Sequence, residues 1–169
     1  ETPCLIPANA PELHIDAVQV EQAVLQTSPE LAMKRLIAAG YPDLFQLCRV
    51  WRGGERGGRH LPEFTLLEWY RRDADYTQLM VDCEELLRHL VPSGRLVWQG
   101  ATIDLTPPWP RLSVAEAFSR HASCSTDEAL ATGRFEEVLT AEVEPRLGHS
   151  PIFLVDYPAT LAALARLKP

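Results

Sequence analysis

The sequence predicts an α+β fold in which helices flank an antiparallel β-sheet, and three observations support this class. Residues 44–52 and 59–70 read as two strands joined by a glycine-rich loop. Residues 27–40 and 77–91 have the apolar spacing of amphipathic helices. A length of 169 residues with 46% apolar residues suits a hydrophobic core, so we assign residues 1–169 to a single domain.

Charge and composition argue against several functions. The net charge of −7 disfavours binding to nucleic acid or to an anionic membrane, unless a local basic patch makes the contact. The longest apolar runs fall far short of the roughly 18 residues that a membrane-spanning helix needs. The N-terminal stretch ETPCLIPANAPEL has no basic start and no apolar core, so it predicts no export signal. We therefore expect a cytoplasmic protein that does not bind membranes.

The cysteines and histidines predict neither a metal site nor a redox motif. The four cysteines stand at positions 4, 48, 83 and 124, and no two of them form a C-x-x-C pair. The five histidines are scattered along the chain, which argues against a zinc site. Reduced thiols in a cytosolic protein are the simplest interpretation.

Residues 1–40 predict an extended segment, short strands and one helix. Residues 1–13 are proline-rich and read as extended chain, and short strands are expected around HIDAV and AVLQ within residues 14–26. In TSPELAMKRLIAAG, Thr27 and Glu30 have the spacing of a capping box, and Pro29 suits the first turn. The apolar face and the helix end are formed by Met33, Leu36, Ile37 and Gly40.

The second strand of the predicted pair carries a carboxylate at an unexpected position. Successive side chains of a strand point to opposite faces, so Phe64, Leu66, Glu68 and Tyr70 share one face. The opposite face is mostly apolar as well, which predicts a strand covered on both sides. A buried carboxylate without a partner costs several kcal/mol, so we expect a cation next to Glu68.

The remainder of the chain predicts further helices and strands. A helix is expected over 77–91, followed by a turn-rich region with a short strand near ATIDL. Ser113 and Glu116 form a second capping box, which begins the helix SVAEAFSRHA. Helical stretches are expected at 126–132 and 135–145, then a buried strand in PIFLVDYP and a last helical turn in ATLAALARLKP.

Three groups of residues are candidates for chemistry, and each has a plain structural alternative. The first is the loop GGERGGRH with its flanks, where glycines let a ligand approach the backbone and arginines bind phosphate bidentately. Its charged or titratable residues are Arg52, Glu55, Arg56, Arg59 and His60. The alternative for this loop is a flexible, solvated hairpin tip.

The other two groups involve carboxylates. Glu68 and Tyr70 point the same way, and an ammonium about 4 Å from a carboxylate gains roughly 4 kcal/mol at an effective dielectric near 20. The alternative is an internal ion pair between Glu68 and an arginine such as Arg49. In TSPE, Ser28 and Glu30 can face a substrate amine at the start of a helix, or they can simply begin that helix.

Four stretches together resemble the catalytic domain of class II aminoacyl-tRNA synthetases of the lysine type. They are ETPCL, LQTSPELAMKRLIAAG, FQLCRVWRGGERGGRHLPEFTLLEWY and FLVDYPAT. ETPCL is similar to the end of motif 1, and residues 45–70 are similar to motif 2, which is two antiparallel strands and their loop. TSPE, CRVWR and LEWY favour the short paralogue that modifies elongation factor P.

The resemblance implies an ATP site in motif 2. Arg52 matches the arginine that holds the α-phosphate of ATP, so it is the implied catalytic residue. His60 and Phe64 match positions that close around ATP, with Phe64 stacking on the adenine. Glu55 is added to this set, although the motif 2 glutamate normally stands two residues after the arginine, where this chain has Gly54.

The resemblance also implies a lysine site. Glu30 matches the carboxylate that takes an amino group of the bound lysine, and Glu68 and Tyr70 match residues that line the lysine pocket. Ser28 stands where lysyl-tRNA synthetases usually have alanine, and it joins this substrate-binding set. The cation expected next to Glu68 is then the ammonium of the substrate.

The implied reaction is a two-step ligation that uses ATP and Mg²⁺. Lysine or (R)-β-lysine attacks the α-phosphate of ATP, and the acyl group then passes to a lysine of elongation factor P. The alternatives are a lysine-tRNA ligase, with tRNA as the acceptor, and a non-catalytic fragment that binds a partner. Such enzymes are usually homodimers, so the full-length protein is expected to be one.

Several features depart from the family pattern. Leu61 stands in place of a common loop asparagine, and the stretch from Asp16 to Leu25 is shorter than the resemblance implies. The glycine-rich motif 3 and the acidic strand that would hold metal do not occur before Pro169. The sequence therefore predicts an incomplete catalytic domain.

Overall fold

Two compact units make up the protein, Glu1–Asp75 and Tyr76–Pro169. The structure, a computed structural model, describes residues 1–9, 15–58, 60–162 and 165–167. The predicted contribution of Arg59 to the loop, the start of the strand expected at HIDAV and parts of the last helical turn lie outside the described residues. The assignment of the whole chain to one domain stays a prediction.

The first unit consists of a small sheet, a helix and a long hairpin. The sheet has three antiparallel strands in the order β1–β3–β2, and the hairpin pairs β4 with β5. The bounds of these elements are β1 Leu5–Ile6, β2 Gln19–Val20, β3 Ala23–Leu25, α1 Glu30–Ala38, β4 Asp43–Trp51 and β5 Glu63–Arg71. The predicted strand at AVLQ, the helix of TSPELAMKRLIAAG and the strand pair are all present.

The start of α1 differs from its prediction. Pro29 occupies the N-cap position and no side chain caps the helix, so the capping box expected from Thr27 and Glu30 is wrong. The Thr27 hydroxyl instead donates a hydrogen bond of 2.8 Å to Asn9 Oδ1. The end of α1 is as expected, because Gly40 has a φ of 105°, which favours glycine.

The hairpin has one enclosed face and one exposed face. Pairs run from Asp43 opposite Arg71 to Trp51 opposite Glu63, so the register is continuous over both strands. On the face opposite Glu68, Phe45 is 75% exposed and Leu47 is 63% exposed. The prediction of a strand pair covered on both sides is therefore wrong for this chain. Apolar residues along one face of a strand indicate that the face tends to be buried, but they do not specify which element packs against it.

The second unit contains α2 and a mainly helical core. Its α-helices and strands are α2 Tyr76–Leu90, β6 Arg95–Trp98, β7 Ala101–Asp104, β8 Arg111–Ser113, α3 Val114–His121, α4 Thr126–Ala131, α5 Phe135–Val138 and β9 Phe153–Val155. A π-helical segment at Leu139–Val143 and short 3-10 turns at Glu144–Arg146 and Ala159–Leu161 complete the unit as described. The core lies between α3, α4 and α5, where the rings of Phe118 and Phe135 stack with centroids 5.1 Å apart. Ser113 and Glu116 form the predicted capping box of α3.

The expected fold class is confirmed only at the level of mixed helices and sheets. Within the described residues, four small sheets replace the single antiparallel sheet, and the pair formed by β8 and β9 is parallel. The hairpin of β6 and β7 includes the strand predicted near ATIDL, whereas its partner β6 was not predicted. In the part of the chain that the structure describes, no helix combines the length and apolar character that crossing a membrane requires.

Candidate active site

Two segments of the first unit position the candidate site. Strand β5 alternates so that Phe64, Glu68 and Tyr70 lie on the enclosed face of the hairpin. The connection from β3 to α1 brings Thr27 and Ser28 against this face, because the backbone N–H of Trp51 donates to the Gln26 carbonyl at 3.0 Å. The site is therefore built from chain segments that are far apart in sequence.

Glu68 is held by two hydroxyl groups. Ser28 Oγ donates to Glu68 Oε2 at 2.7 Å, and the Tyr70 hydroxyl donates to Glu68 Oε1 at 2.6 Å. Short hydrogen bonds to a carboxylate are among the stronger ones in proteins. Since a carboxylate has about four acceptor positions, both oxygens keep room for a further donor.

The Tyr70 hydroxyl is affected by burial and by nearby negative charge. The pKa of this hydroxyl is raised far above the usual value of 10.0, first by burial and then by its hydrogen bond to Glu68. The charges of Glu68 and Glu30 raise this pKa further. Both carboxylates therefore lie close enough to disfavour a phenolate.

Glu30 already has a cationic neighbour. Lys34 Nζ contacts Glu30 Oε1 from one helical turn away, with the Glu30 side chain 19% exposed and the Lys34 side chain 43% exposed. The backbone N–H of Glu30 donates to Ser28 Oγ at 3.0 Å, so Ser28 links the two acidic residues. A substrate amine at Glu30 must share this carboxylate with Lys34 or displace it.

The predicted internal ion pair of Glu68 is not formed. Arg49 lies on the opposite face of the hairpin, where its Nε is 3.9 Å from Glu63 Oε1. Among the residues that the structure describes, no Lys, Arg or His side chain forms an ion pair with Glu68. The alternative in which Arg49 neutralises Glu68 is therefore wrong, because the two side chains alternate to opposite faces.

Arg52 directly follows β4, and contacts on one side of its guanidinium hold it in position. Its Nε donates to the Thr27 carbonyl at 3.4 Å, and its Cζ lies 5.2 Å from the centroid of the Phe64 ring. Within the described residues its terminal nitrogens have no hydrogen-bond partner. A guanidinium held by a carbonyl and an aromatic ring, with its outer edge available, suits an anion such as phosphate.

Glu55 and His60 lie in the loop, away from these contacts. His60 forms a backbone bridge with Gly57, and its side chain is exposed. In the described part of the chain, neither side chain forms a hydrogen bond or an ion pair with Arg52, Glu30 or Glu68. Their membership of an ATP site stays a prediction.

Three contributions were missed by sequence reasoning. The Lys34 contact with Glu30 has the i, i+4 spacing of a helical ion pair, so the sequence contained a signal for it. The Thr27 carbonyl as a support for Arg52, and the buried amide of Gln26 beneath it, depend on the pairing of distant segments. No local pattern indicates either of them.

A cavity of about 230 Å³ adjoins Ser28 beside α1. Its lining is mainly apolar, includes a few polar side chains and contains no residue of β5: Ile6, Pro7, Ala8, Asn9, Gln26, Ser28, Leu31, Ala32 and Arg35.

The residues present offer no complete metal site. In the described ranges, no group of three or more His, Cys, Asp or Glu side chains is placed to hold a metal ion. The described side chains therefore do not hold a metal by themselves, and we derive no step through Mg²⁺. The cation that these residues do supply for phosphate is Arg52.

The chain is similar to known proteins of one family. Residues 1–169 match the family described as tRNA synthetases class II (D, K and N). A protein of Pseudoalteromonas translucida named "Elongation factor P--(R)-beta-lysine ligase" is 36% identical over 187 residues, which cover 99% of this chain. Proteins with the same name from Mannheimia succiniciproducens and Klebsiella pneumoniae are 36% and 34% identical, over 99% and 100% of this chain. The chain spans 58% of the length of each of these relatives.

Proposed function

Because this chain belongs to the class II tRNA synthetase family (D, K and N), we propose that the full-length protein is an ATP-dependent ligase. It activates lysine or (R)-β-lysine as an aminoacyl-adenylate and transfers the acyl group to a lysine of elongation factor P. The names of the relatives support this acceptor and favour (R)-β-lysine as the amino acid. We further propose that the protein works in the cytoplasm as a homodimer.

The proposal depends on one observation, which is that the Glu68 carboxylate is bound by neutral donors and forms no ion pair among the described residues. This carboxylate is half-buried and bound by the hydroxyl groups of Ser28 and Tyr70, which are neutral donors. Neutral donors orient a carboxylate without neutralising its negative charge. A cation placed about 4 Å from the Glu68 carboxylate is therefore stabilised by roughly 4 kcal/mol of electrostatic attraction at an effective dielectric near 20. The ammonium of a lysine side chain supplies that cation.

A second carboxylate makes the site suited to a diamino acid. Glu30 lies close enough to Tyr70 for its charge to raise the pKa of the tyrosine hydroxyl, so the two acidic residues form one cluster. A substrate with two amino groups can place one at Glu68 and the other at Glu30. Ser28 holds the spacing between them, because it contacts Glu68 and the backbone of Glu30.

Arg52 and Phe64 form the proposed nucleotide side of the site. A carboxylate oxygen of the amino acid attacks the α-phosphorus of ATP, and the bond from that phosphorus to the pyrophosphate oxygen breaks. The outer nitrogens of Arg52 neutralise charge on the α-phosphate, and the Phe64 ring supports the guanidinium. This chemistry needs positioning and charge neutralisation, so no covalent enzyme nucleophile is required.

The remaining assignments are carried by the family pattern. We assign Glu55 and His60 to the ATP site because they belong to the loop of motif 2. Mg²⁺ remains the metal that the family pattern implies; it would add positive charge at the phosphates, and none of the steps described for this chain passes through it.

Lysine-dependent exchange between ATP and pyrophosphate tests the proposal. In the full-length protein, Glu68→Gln and Arg52→Ala should each lower the exchange rate by at least about tenfold, because each removes a charge from the site. The matched controls are Glu63→Gln and Arg49→Ala, which change the same residue types on the same strands but on the opposite face. Exchange rates that stay unchanged in both site variants would remove Glu68 and Arg52 from the mechanism.

A parallel assay identifies the acceptor. The protein is incubated with ATP and each amino acid, and transfer is measured to elongation factor P and to lysine tRNA. We expect labelled elongation factor P and uncharged tRNA. The opposite result would make the chain part of a lysine-tRNA ligase. ATP–pyrophosphate exchange without transfer to either acceptor would support amino-acid activation and contradict both proposed acceptors.

A further inference from the structure

A buried amide brings two cysteines together beneath the candidate site. The Gln26 side chain is 1% exposed, and its Nε2 lies 3.7 Å from Cys4 Sγ and 3.6 Å from Cys48 Sγ. The same nitrogen donates to the Arg49 carbonyl at 3.0 Å. Both sulfur atoms therefore contact one atom, although the cysteines are 44 positions apart in the chain.

Backbone hydrogen bonds between neighbouring segments place Cys4 and Cys48 near the Gln26 side chain. The backbone N–H of Gln26 donates to the Cys4 carbonyl at 2.8 Å, which places Cys4 beside the end of β3. Cys48 belongs to β4, and its side chain is on the same face of the hairpin as Val50. Because both sulfurs lie within 3.7 Å of the same nitrogen, they are at most about 7 Å apart, and a disulfide forms once side-chain rotation and movement of the backbone bring them together.

The contacts that separate the two sulfurs are weak. An amide nitrogen has two N–H groups, and one of them is engaged by the Arg49 carbonyl. The other has only thiol sulfurs as acceptors, and sulfur accepts hydrogen bonds weakly. Moving this amide aside therefore costs less than breaking a hydrogen bond to a carbonyl or a carboxylate.

We propose that Cys4 and Cys48 form a reversible intramolecular disulfide when the protein meets a hydroperoxide. All four cysteines are free in the structure, and Cys4 is exposed whereas Cys48 is half-buried. The exposed thiol meets the oxidant first, and the second thiol lies near enough to resolve the product. Disulfides of this kind in reducing compartments are usually transient.

Two displacement steps account for all atoms and electrons. The Cys4 sulfur attacks one peroxide oxygen, the O–O bond breaks, and Cys4 sulfenic acid and one molecule of water form. The Cys48 sulfur then attacks the Cys4 sulfur, the S–S bond forms, and the S–O bond breaks. The leaving hydroxide takes the Cys48 proton as a second water, so hydrogen peroxide is reduced and the two thiols lose two electrons in total.

Formation of the disulfide would disturb the candidate site through the two residues that follow Gln26. Gln26 is followed directly by Thr27, whose carbonyl supports Arg52, and by Ser28, whose hydroxyl holds Glu68. Closing the S–S bond takes both sulfur contacts from the Gln26 amide, so this segment must shift. We expect oxidation to lower the ligase activity, and this part of the inference rests on the proposed function, whereas the disulfide itself does not.

Peptide mapping tests the disulfide directly. The full-length protein is treated with hydrogen peroxide, its remaining thiols are alkylated, and it is digested without reductant and analysed by mass spectrometry. We expect one linked pair of peptides, containing Cys4 and Cys48, which separates on adding dithiothreitol. The link should persist in the control variants Cys83→Ser and Cys124→Ser and be absent from Cys4→Ser and Cys48→Ser. Sulfinic acid at Cys4 without a link, or a link to another cysteine, would overturn the proposal.

Exchange of ATP and pyrophosphate, measured on the same samples, tests the connection to the site. Peroxide should lower the rate of the wild type by at least about fivefold, dithiothreitol should restore it, and Cys48→Ser should resist the loss. A linked pair with an unchanged rate would disprove the connection to the site. A linked pair in a protein that never shows lysine-dependent exchange would overturn the proposed function and leave the disulfide standing.

Discussion

Ser28 and Glu68 are joined by a hydrogen bond of 2.7 Å between the serine hydroxyl and the glutamate carboxylate. The two residues are 40 positions apart, and the bond ties the start of α1 to the middle of β5. Ser28 Oγ also accepts the backbone N–H of Glu30 at 3.0 Å. One hydroxyl thus sets the position of both acidic residues to which we assign the amino groups of the substrate.

Removal of this hydroxyl should weaken binding of the amino acid. In Ser28→Ala, Glu68 loses one of its two donors and the N–H of Glu30 loses its acceptor. A hydrogen bond to a charged group contributes about 1.5–3 kcal/mol, so we expect the KM for the amino acid in the exchange assay to rise by about tenfold or more, with a smaller change in kcat.

The matched control for this variant is Ser123→Ala. The Ser123 hydroxyl also donates to a carboxylate, Glu142 Oε1 at 2.9 Å, but it belongs to the second unit. We expect the control to leave KM unchanged. A KM in Ser28→Ala within about twofold of the wild type would show that Ser28 does not position the acidic pair.

Local patterns predicted the elements that carry the site. Alternation along β5 placed Phe64, Glu68 and Tyr70 on one face, and the apolar spacing from Met33 predicted α1. These features depend on residues within a few positions of one another, so sequence alone determines them. The same holds for the capping box of Ser113 and Glu116.

Contacts between distant segments could not be predicted in this way. The two hydroxyl groups that donate to Glu68, one of them from Ser28, were not predicted, whereas the substrate cation expected beside Glu68 stays a prediction. The capping box expected from Thr27 failed because its hydroxyl finds Asn9, a partner outside the helix. The parallel pairing of β8 with β9 also depends on contacts that no local spacing encodes.

Loss of a helix cap should destabilise the second unit. Ser113 accepts the backbone N–H of Glu116 at 3.2 Å and begins α3, whose Val114, Ala117 and Phe118 are buried. Replacement of a serine N-cap by alanine typically costs about 1 kcal/mol, so Ser113→Ala should lower the free energy of unfolding by that amount. Urea denaturation followed by circular dichroism measures this difference.

Ser119→Ala is the control for this cap. Ser119 lies on the exposed side of α3, away from the helix start, and alanine favours helices at least as well as serine. Its free energy of unfolding should equal that of the wild type or exceed it slightly. Equal stability of Ser113→Ala and the wild type would contradict a contribution of the cap.

Tyr70 should make stability dependent on pH in the alkaline range. Its folded-state pKa is raised well above 10.0, by burial and by Glu68, whereas in the unfolded chain the hydroxyl has its usual value. The folded protein then holds a proton that the unfolded chain loses above pH 10.0, so the stabilising contribution is complete below that pH and is lost as pH rises beyond it.

Thermal denaturation from about pH 8 to about pH 11 measures this effect. The Tm of the wild type should fall more steeply above pH 10.0 than the Tm of Tyr70→Phe, which has no hydroxyl to ionise. Tyr41→Phe is the control, because Tyr41 is 57% exposed. Parallel curves for the wild type and Tyr70→Phe would contradict the raised pKa.

Lys34 should compete with the substrate for Glu30. Its ammonium contacts Glu30 Oε1, but a helical pair of this kind contributes only about 0.3–0.5 kcal/mol. In Lys34→Met the Glu30 carboxylate has lost this cation and the site is more negative, so the KM for the amino acid should fall by about twofold to fivefold.

Two variants are controls for Lys34→Met. Lys34→Arg keeps the charge and should have the KM of the wild type. Arg120→Met breaks a similar i, i+4 pair with Glu116 in the second unit and should leave KM unchanged. A higher KM in Lys34→Met would instead mean that Lys34 holds Glu30 in its binding position, since losing a positioning contact weakens binding whereas losing a competing cation strengthens it.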